Sequence, residues 1–219
     1  MKVINKNAQV WNKLYRDGLF MSYPSEIMVK CIYYYFLDIK NKKILDMGCG
    51  SGANLIHLIK MGAKGYGCDI SSESVKLVRK RLKQQNLSGE IKISNDKLPF
   101  EDSFFDIIVC WTTLYYGNLK IIQKLIKEIK RILKPNGKIL ITTLRKNDQI
   151  IKYSKKIEPK TYKVKSTFPT QKGAVIYAVN GESDILKLFK AFKIFEIGYY
   201  ESKLKDFISS HWTIFGEKI

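Results

Sequence analysis

The residues best suited to chemistry stand together in Asp46-Met47-Gly48-Cys49-Gly50-Ser51-Gly52-Ala53, with a second acid, Asp69, further along. Alternating glycines let a chain turn sharply and let a ligand lie against its backbone, and a helix starting there offers unpaired N–H groups. An acid about 20 residues on, at the end of the next strand, accepts hydrogen bonds from ribose hydroxyls. The pattern therefore predicts a nucleotide-type ligand over Gly48, Cys49 and Gly50, with its sugar at Asp69 and Ile70. Gly48 to Ala53 also fits G-x-G-x-x-G/A, so the turn alone leaves a dinucleotide cofactor open. Asp46 argues for a different ligand, because a carboxylate beside the glycines repels a pyrophosphate and attracts a cation.

These residues need a scaffold, and the flanking pattern supplies it. Lys43–Met47, Gly65–Asp69, Glu90–Ser94, Phe105–Trp111 and Lys138–Leu144 read as strands. Between them, Ala53–Met61, Ser71 to about Gln85, and the stretch carrying Ile122, Ile126, Ile129 and Ile132 read as helices. Ser71 suits an N-cap, and Pro135-Asn136-Gly137 ends the third of these helices. Ser183–Phe192 as a helix, then Ile194–Tyr200 and Trp212–Gly216 as strands, complete the plan. Alternating strands and helices specify an α/β sheet covered on both faces, with ligands at the carboxyl ends of the strands. Residues 1–40 read as a helical cap or lid before a domain at 41–219, and residues 145–173 as a polar, Lys-rich insertion or loop.

Leu45-Asp46-Met47-Gly48-Cys49-Gly50-Ser51-Gly52 resembles motif I of class I S-adenosylmethionine-dependent methyltransferases. Leu98-Pro99-Phe100-Glu101-Asp102-Ser103-Phe104-Phe105-Asp106 is similar to the "LPF…SFD" stretch of their type 11 subgroup. Arg131-Ile132-Leu133-Lys134-Pro135-Asn136-Gly137 resembles their turn before strand five, with Asn136 replacing a glycine, and His211–Lys218 resembles their last strand. The resemblance implies a Rossmann-like, doubly wound, mostly parallel seven-stranded sheet with a final antiparallel strand. It also implies S-adenosylmethionine as cofactor and S-adenosylhomocysteine as product. It would place Asp46 near the methionine amino group, Gly48 and Gly50 under the ligand, and Asp69 on the ribose. Adenine would lie near Asn95, Asp96, Lys97 and Leu98, with Ser94 a competitor for that contact, and Cys110 would lie past the fourth strand.

On the acceptor side, Tyr115 and Tyr116 follow the fourth strand and His211 opens the last one. These three are the candidates for a general base. Trp11 and Tyr15, with Tyr23 and Pro24, precede the core and suit a lid that excludes water from the cofactor.

Composition narrows the rest. With 39 basic against 20 acidic residues, the 219-residue chain carries a formal charge of +19. Only five of the basic residues are Arg, the side chain suited to bidentate phosphate recognition, and the Lys are scattered. A small-molecule acceptor is therefore the leading expectation. RNA or protein methylation, a non-catalytic module that binds the cofactor, and an NAD-dependent dehydrogenase are the alternatives. Cys31, Cys49, Cys68 and Cys110 lie far apart, and with two histidines in the chain no metal site is expected. No run of about 18 apolar residues suggests a membrane span, and the N-terminus lacks a signal-peptide h-region, so a cytoplasmic protein is expected.

Overall fold

Apolar residues on both faces of each strand place the parallel strands between two helical layers. The computed structural model describes residues 2–95, 97–165, 170–205 and 207–219. Two helices lead in, α1 (Lys2–Arg16) and α2 (Glu26–Tyr35). The alternating core follows as β1 (Lys43–Met47), α3 (Ala53–Lys60), β2 (Lys64–Asp69), α4 (Ser72–Gln84), β3 (Gly89–Ile93), β4 (Phe105–Cys110), α5 (Leu119–Ile132) and β5 (Leu133–Arg145). The C-terminal part adds α6 (Gln149–Lys152), β6 (Ser154–Glu158), β7 (Thr161–Val164), β8 (Val175–Val179), α7 (Glu182–Leu188), β9 (Phe192–Leu204) and β10 (Phe207–Lys218).

The main sheet runs β3-β2-β1-β4-β5-β10-β9, with β10 antiparallel to both its neighbours and the other pairs parallel. This matches the expected seven-stranded plan, but the whole sheet has ten strands. The segment expected as a polar loop or insertion supplies α6, β6 and β7, which join the sheet through β8 and the Leu144–Arg145 end of β5. Lysines masked those strands in the sequence. Lys155, Lys156 and Lys163 face solvent while Thr161 and Val164 are buried.

One sheet face packs Leu45, Ile108 and Ile139 against α5 and α7; the other packs Ile44, Ile107 and Leu140 against α2. The alternation along β1, β4 and β5 is what gives each face its own core. Along α5, Ile122, Ile126, Ile129 and Ile132 form the buried stripe, and Asn118 caps its first turn by accepting from the Ile121 N–H.

Helix α1 is tied down at two points. The Asn7 amide exchanges two hydrogen bonds with the backbone of Val175 in β8, and Asn12 Oδ1 accepts from Ser71 Oγ (2.8 Å) at the start of α4. Between these two anchors lies Trp11, with Tyr15 one turn further.

Candidate active site

Strand order reverses between β1 and β4, and a cavity of about 630 Å³ opens at the carboxyl ends of the strands there. That volume is typical of small-molecule sites. Its floor is the bend after β1. Gly48 (φ 75°) and Gly50 (φ 53°) take left-handed conformations, and a Cβ on Gly48 would sit 2.2 Å from Thr113 Cγ2. Over Gly50 the nearest atom is the Tyr15 hydroxyl, 2.6 Å from where a Cβ would stand. A side chain at either position would collide with Thr113 or Tyr15, so packing as well as the positive φ requires glycine here.

Asp69 joins the first two bends. Its Oδ2 accepts from the Gly50 N–H (2.9 Å) and its Oδ1 from the Ser71 N–H (2.8 Å), and its carboxylate lines the cavity. Burial raises its pKa, opposed by the N–H groups of Ser71 and Gly50. Ser74 and the Ile70 N–H also donate to it, so a ribose hydroxyl bound there would share the carboxylate with these donors.

Asp46 is placed differently from the expectation. It does not line the cavity; it lies buried behind the glycine bend, where the Leu55 N–H donates to it. Gly52, the N-cap of α3, offers no side-chain cap, so Asp46 serves an orphan donor of that helix. Its Oδ2 has no partner among the described residues, and burial, then the Asp69 charge, pushes its pKa up to about 7. The reason is steric, because residues alternate along β1: Met47 points to the cavity and Asp46 to the α3 side.

The other expected cofactor residues divide. Trp11, Tyr15, Cys49, Ile70, Asn95 and Leu98 line the cavity, as does Ser94. Lys97 does not; it lines a separate shallow groove with Glu90, Lys92 and Phe100, while its N–H donates to Asn95 Oδ1. Cys110 is wholly buried in the core, off the cavity wall, and burial raises its thiol pKa well above the ordinary value. Asp96 lies outside the described residues.

Of the three candidate bases only Tyr116 reaches the cavity. Its hydroxyl donates to Gln171 Oε1 (2.9 Å), and Trp11 packs edge-on against its ring at 5.1 Å. Tyr115 and His211 stand behind it in the core, linked by a 3.4 Å contact from His211 Nε2 to the Tyr115 hydroxyl. Burial drives the Tyr116 pKa far above the phenol range and lowers that of His211 to about 4. At neutral pH all three are therefore uncharged, and the cavity-facing phenol is a hydrogen-bond donor, not a base.

Several wall residues had no sequence signal. Trp111, Thr112 and Thr113 sit past β4, and Thr113 Oγ1 donates to the Trp111 carbonyl (3.1 Å). Ile121 and Leu125 come from α5, and Phe20 and Met21 from the α1–α2 connection. Tyr200, Ser202 and Ser209 come from β9 and β10, with Tyr200 stacked between Trp111 (5.7 Å) and His211 (5.3 Å). Asp69 is the only charged side chain on the wall among the described residues.

The chain's likenesses agree with this geometry. Residues 44–137 match the family model described as a methyltransferase domain. A sterol 4-C-methyltransferase of Caenorhabditis elegans is 33% identical over 119 residues, covering 53% of this chain and 35% of that protein. A demethylmenaquinone methyltransferase of Tropheryma whipplei is 30% identical over 142 residues, covering 64% and 56%. The chain thus spans about a third to somewhat over half the length of these curated relatives. In fold it is similar to a SAM-dependent methyltransferase from Methanosarcina mazei, with a TM-score of 0.72 at 23% identity, covering 90% of this chain and 99% of that one. The domain match covers the glycine bend, Asp69 and the β4–α5 wall in their sequence order, so this part of the chain is similar to a methyltransferase domain, carried on a fold that a SAM-dependent methyltransferase shares.

Proposed function

We propose that this protein transfers a methyl group from S-adenosylmethionine to an uncharged small-molecule acceptor held in the aromatic part of the cavity. One observation carries the reading. On a chain of net charge +19, the cavity wall holds no Lys or Arg among the described residues and a single acid, Asp69. A nucleic-acid backbone needs cationic partners, which weighs against the RNA alternative, and carboxylates beside the glycine bend repel a pyrophosphate, which weighs against the dehydrogenase. A cationic donor suits this wall, with Asp46 adding a second buried carboxylate behind it.

The residues present fit that cofactor. The Gly48–Gly50 backbone lines the cavity without side chains of its own, and the Asp69 carboxylate beside it is an acceptor that sugar hydroxyls can share. Ile70, Ser94, Asn95 and Leu98 offer a mixed apolar and amide wall for the base. When bound, the cofactor supplies an electrophilic methyl on a sulfonium. The protein's own contribution is orientation and exclusion of water. Trp111, Tyr116, Tyr200, Ile121 and Leu125 would hold the acceptor's apolar body, and the neutral Tyr116 hydroxyl would donate to a polar atom on it by turning its proton from Gln171 Oε1. Helix α1, pinned at Asn7 and Asn12, would act as the cap over both ligands. Relatives named for sterol, demethylmenaquinone and ubiquinone-biosynthesis substrates support an uncharged, largely apolar acceptor.

The test is titration calorimetry followed by mass spectrometry. S-adenosylhomocysteine should bind one to one, and incubation with S-adenosylmethionine and a panel of neutral aromatic acceptors should give a product one methyl heavier. A panel in which only RNA or protein is methylated would overturn the acceptor class.

A further inference from the structure

The mouth of the cavity exposes apolar side chains where a water-facing rim ordinarily carries polar ones. Leu19, Met21 and Tyr23 are 56%, 77% and 81% exposed, yet all three also line the cavity. They lie on one connection, between α1 and α2. The second exposed element is the β9–β10 hairpin. Ser202 and Ser209 pair across it and line the cavity, and the hairpin runs on past them to the Leu204–Phe207 pair. Leu204, 75% exposed, therefore stands beyond the opening.

Positive charge accompanies these side chains. Arg16, at the end of α1 beside the connection, and Lys203 and Lys205, on the hairpin, are exposed. Of the acids there, Asp17 is paired with Lys13, and Glu201 accepts from Ser210 Oγ. The chain as a whole carries +19.

We propose that this rim docks on an anionic lipid bilayer and that the acceptor enters the cavity from that surface. Apolar side chains on two loops flanking an opening can insert at the headgroup boundary, and nearby Lys and Arg add attraction toward anionic lipid. The cavity behind them is lined by aromatic and aliphatic side chains, which suits a bilayer-soluble guest. The entry route rests on the methyltransferase reading above; the docking surface does not. A second apolar patch, Tyr33, Tyr34 and Leu37, runs from the end of α2 toward the start of β1, whereas the cavity is at the carboxyl end of that strand. It serves as the control.

The test is co-sedimentation of the full chain with vesicles of phosphatidylcholine alone or mixed equally with phosphatidylglycerol, at low and high salt. Wild type should pellet with the mixed vesicles and lose most of that binding with high salt or phosphatidylcholine alone. Leu19→Ser/Met21→Ser/Tyr23→Ser should weaken partitioning by about tenfold or more, with an unchanged melting temperature as the folding check. Tyr33→Ser/Tyr34→Ser should bind as wild type. The proposal is overturned if wild type stays in the supernatant, if the α2 variant loses binding while the rim variant keeps it, or if the protein ignores vesicles and sediments only with RNA. Wild type that binds S-adenosylhomocysteine but no vesicle removes the docking surface alone; the reverse result removes the methyltransferase reading alone.

Discussion

Replacing Asp46 by Asn should stabilise the cofactor-free protein at alkaline pH and weaken cofactor binding. In the fold this carboxyl has its pKa raised from 3.8 to about 7, first by burial and then by Asp69. The folded state therefore holds a proton over a window in which the unfolded chain has released it. Stability falls as pH rises through that window, and the loss is complete above about pH 7. Roughly 3 pH units at about 1.4 kcal/mol each set an upper figure of about 4 kcal/mol. Asn keeps an oxygen for the Leu55 N–H but brings an amide N–H₂ to the place of the unpartnered Oδ2, at a cost of about 1–3 kcal/mol. The net gain at about pH 8 is thus about 1–3 kcal/mol, which for a chain of this length raises the melting temperature by about 2–12 °C. Near pH 4 Asp46 is already neutral, so the gain should vanish and reverse sign. Thermal unfolding of both proteins across that range reads the effect directly. A melting-temperature difference that does not change with pH would refute the reasoning, because no uncompensated buried charge would then exist.

Other expectations follow from the same geometry. Gly48→Ala places a methyl against Thr113 at a φ of 75°, and should abolish cofactor binding in calorimetry while lowering stability by about 1–3 kcal/mol in denaturant melts. Asp69→Ala removes acceptors for the ribose and for the N–H groups of Gly50 and Ser71; cofactor affinity should fall by about 100-fold with the fold retained by circular dichroism. Trp11→Ala/Tyr15→Ala should weaken cofactor binding severalfold, and unchanged affinity would dismiss helix α1 as a cap. Tyr116→Phe should lower kcat/KM by about tenfold and leave the shape of its pH profile unchanged; loss of a titrating limb would mean that the phenol acts as a base.

Much of the scaffold is legible in the sequence because its parts follow strong periodicities. The Ile stripe of α5, the Ser71 cap and the short apolar runs of β1, β2 and β4 each announce one element. β6 and β7 were hidden because their solvent faces are Lys, leaving too few apolar positions to show a period of two. The long β9–β10 hairpin was read short at both strands, since its tip is Ser- and Lys-rich and is held by pairing, not burial. In the site, spacing alone singled out Gly48, Gly50 and Asp69, which line the cavity. The direction of Asp46 did not, because one residue along a strand decides between cavity and core. Likewise Tyr115 and Tyr116 are adjacent in sequence, but only one of them faces the opening. Tyr200, Ser202 and Ser209 come from residues more than 80 positions beyond β4, so only the folded sheet brings them to the same wall.

The central claim is a cavity wall built for a cationic methyl donor and closed to pyrophosphate. Calorimetric titration of the intact chain with S-adenosylmethionine, S-adenosylhomocysteine and NADH tests it in one experiment. The account predicts one-to-one binding of the first two and no heat with the third; saturable binding of NADH with none of either methionine derivative would contradict it.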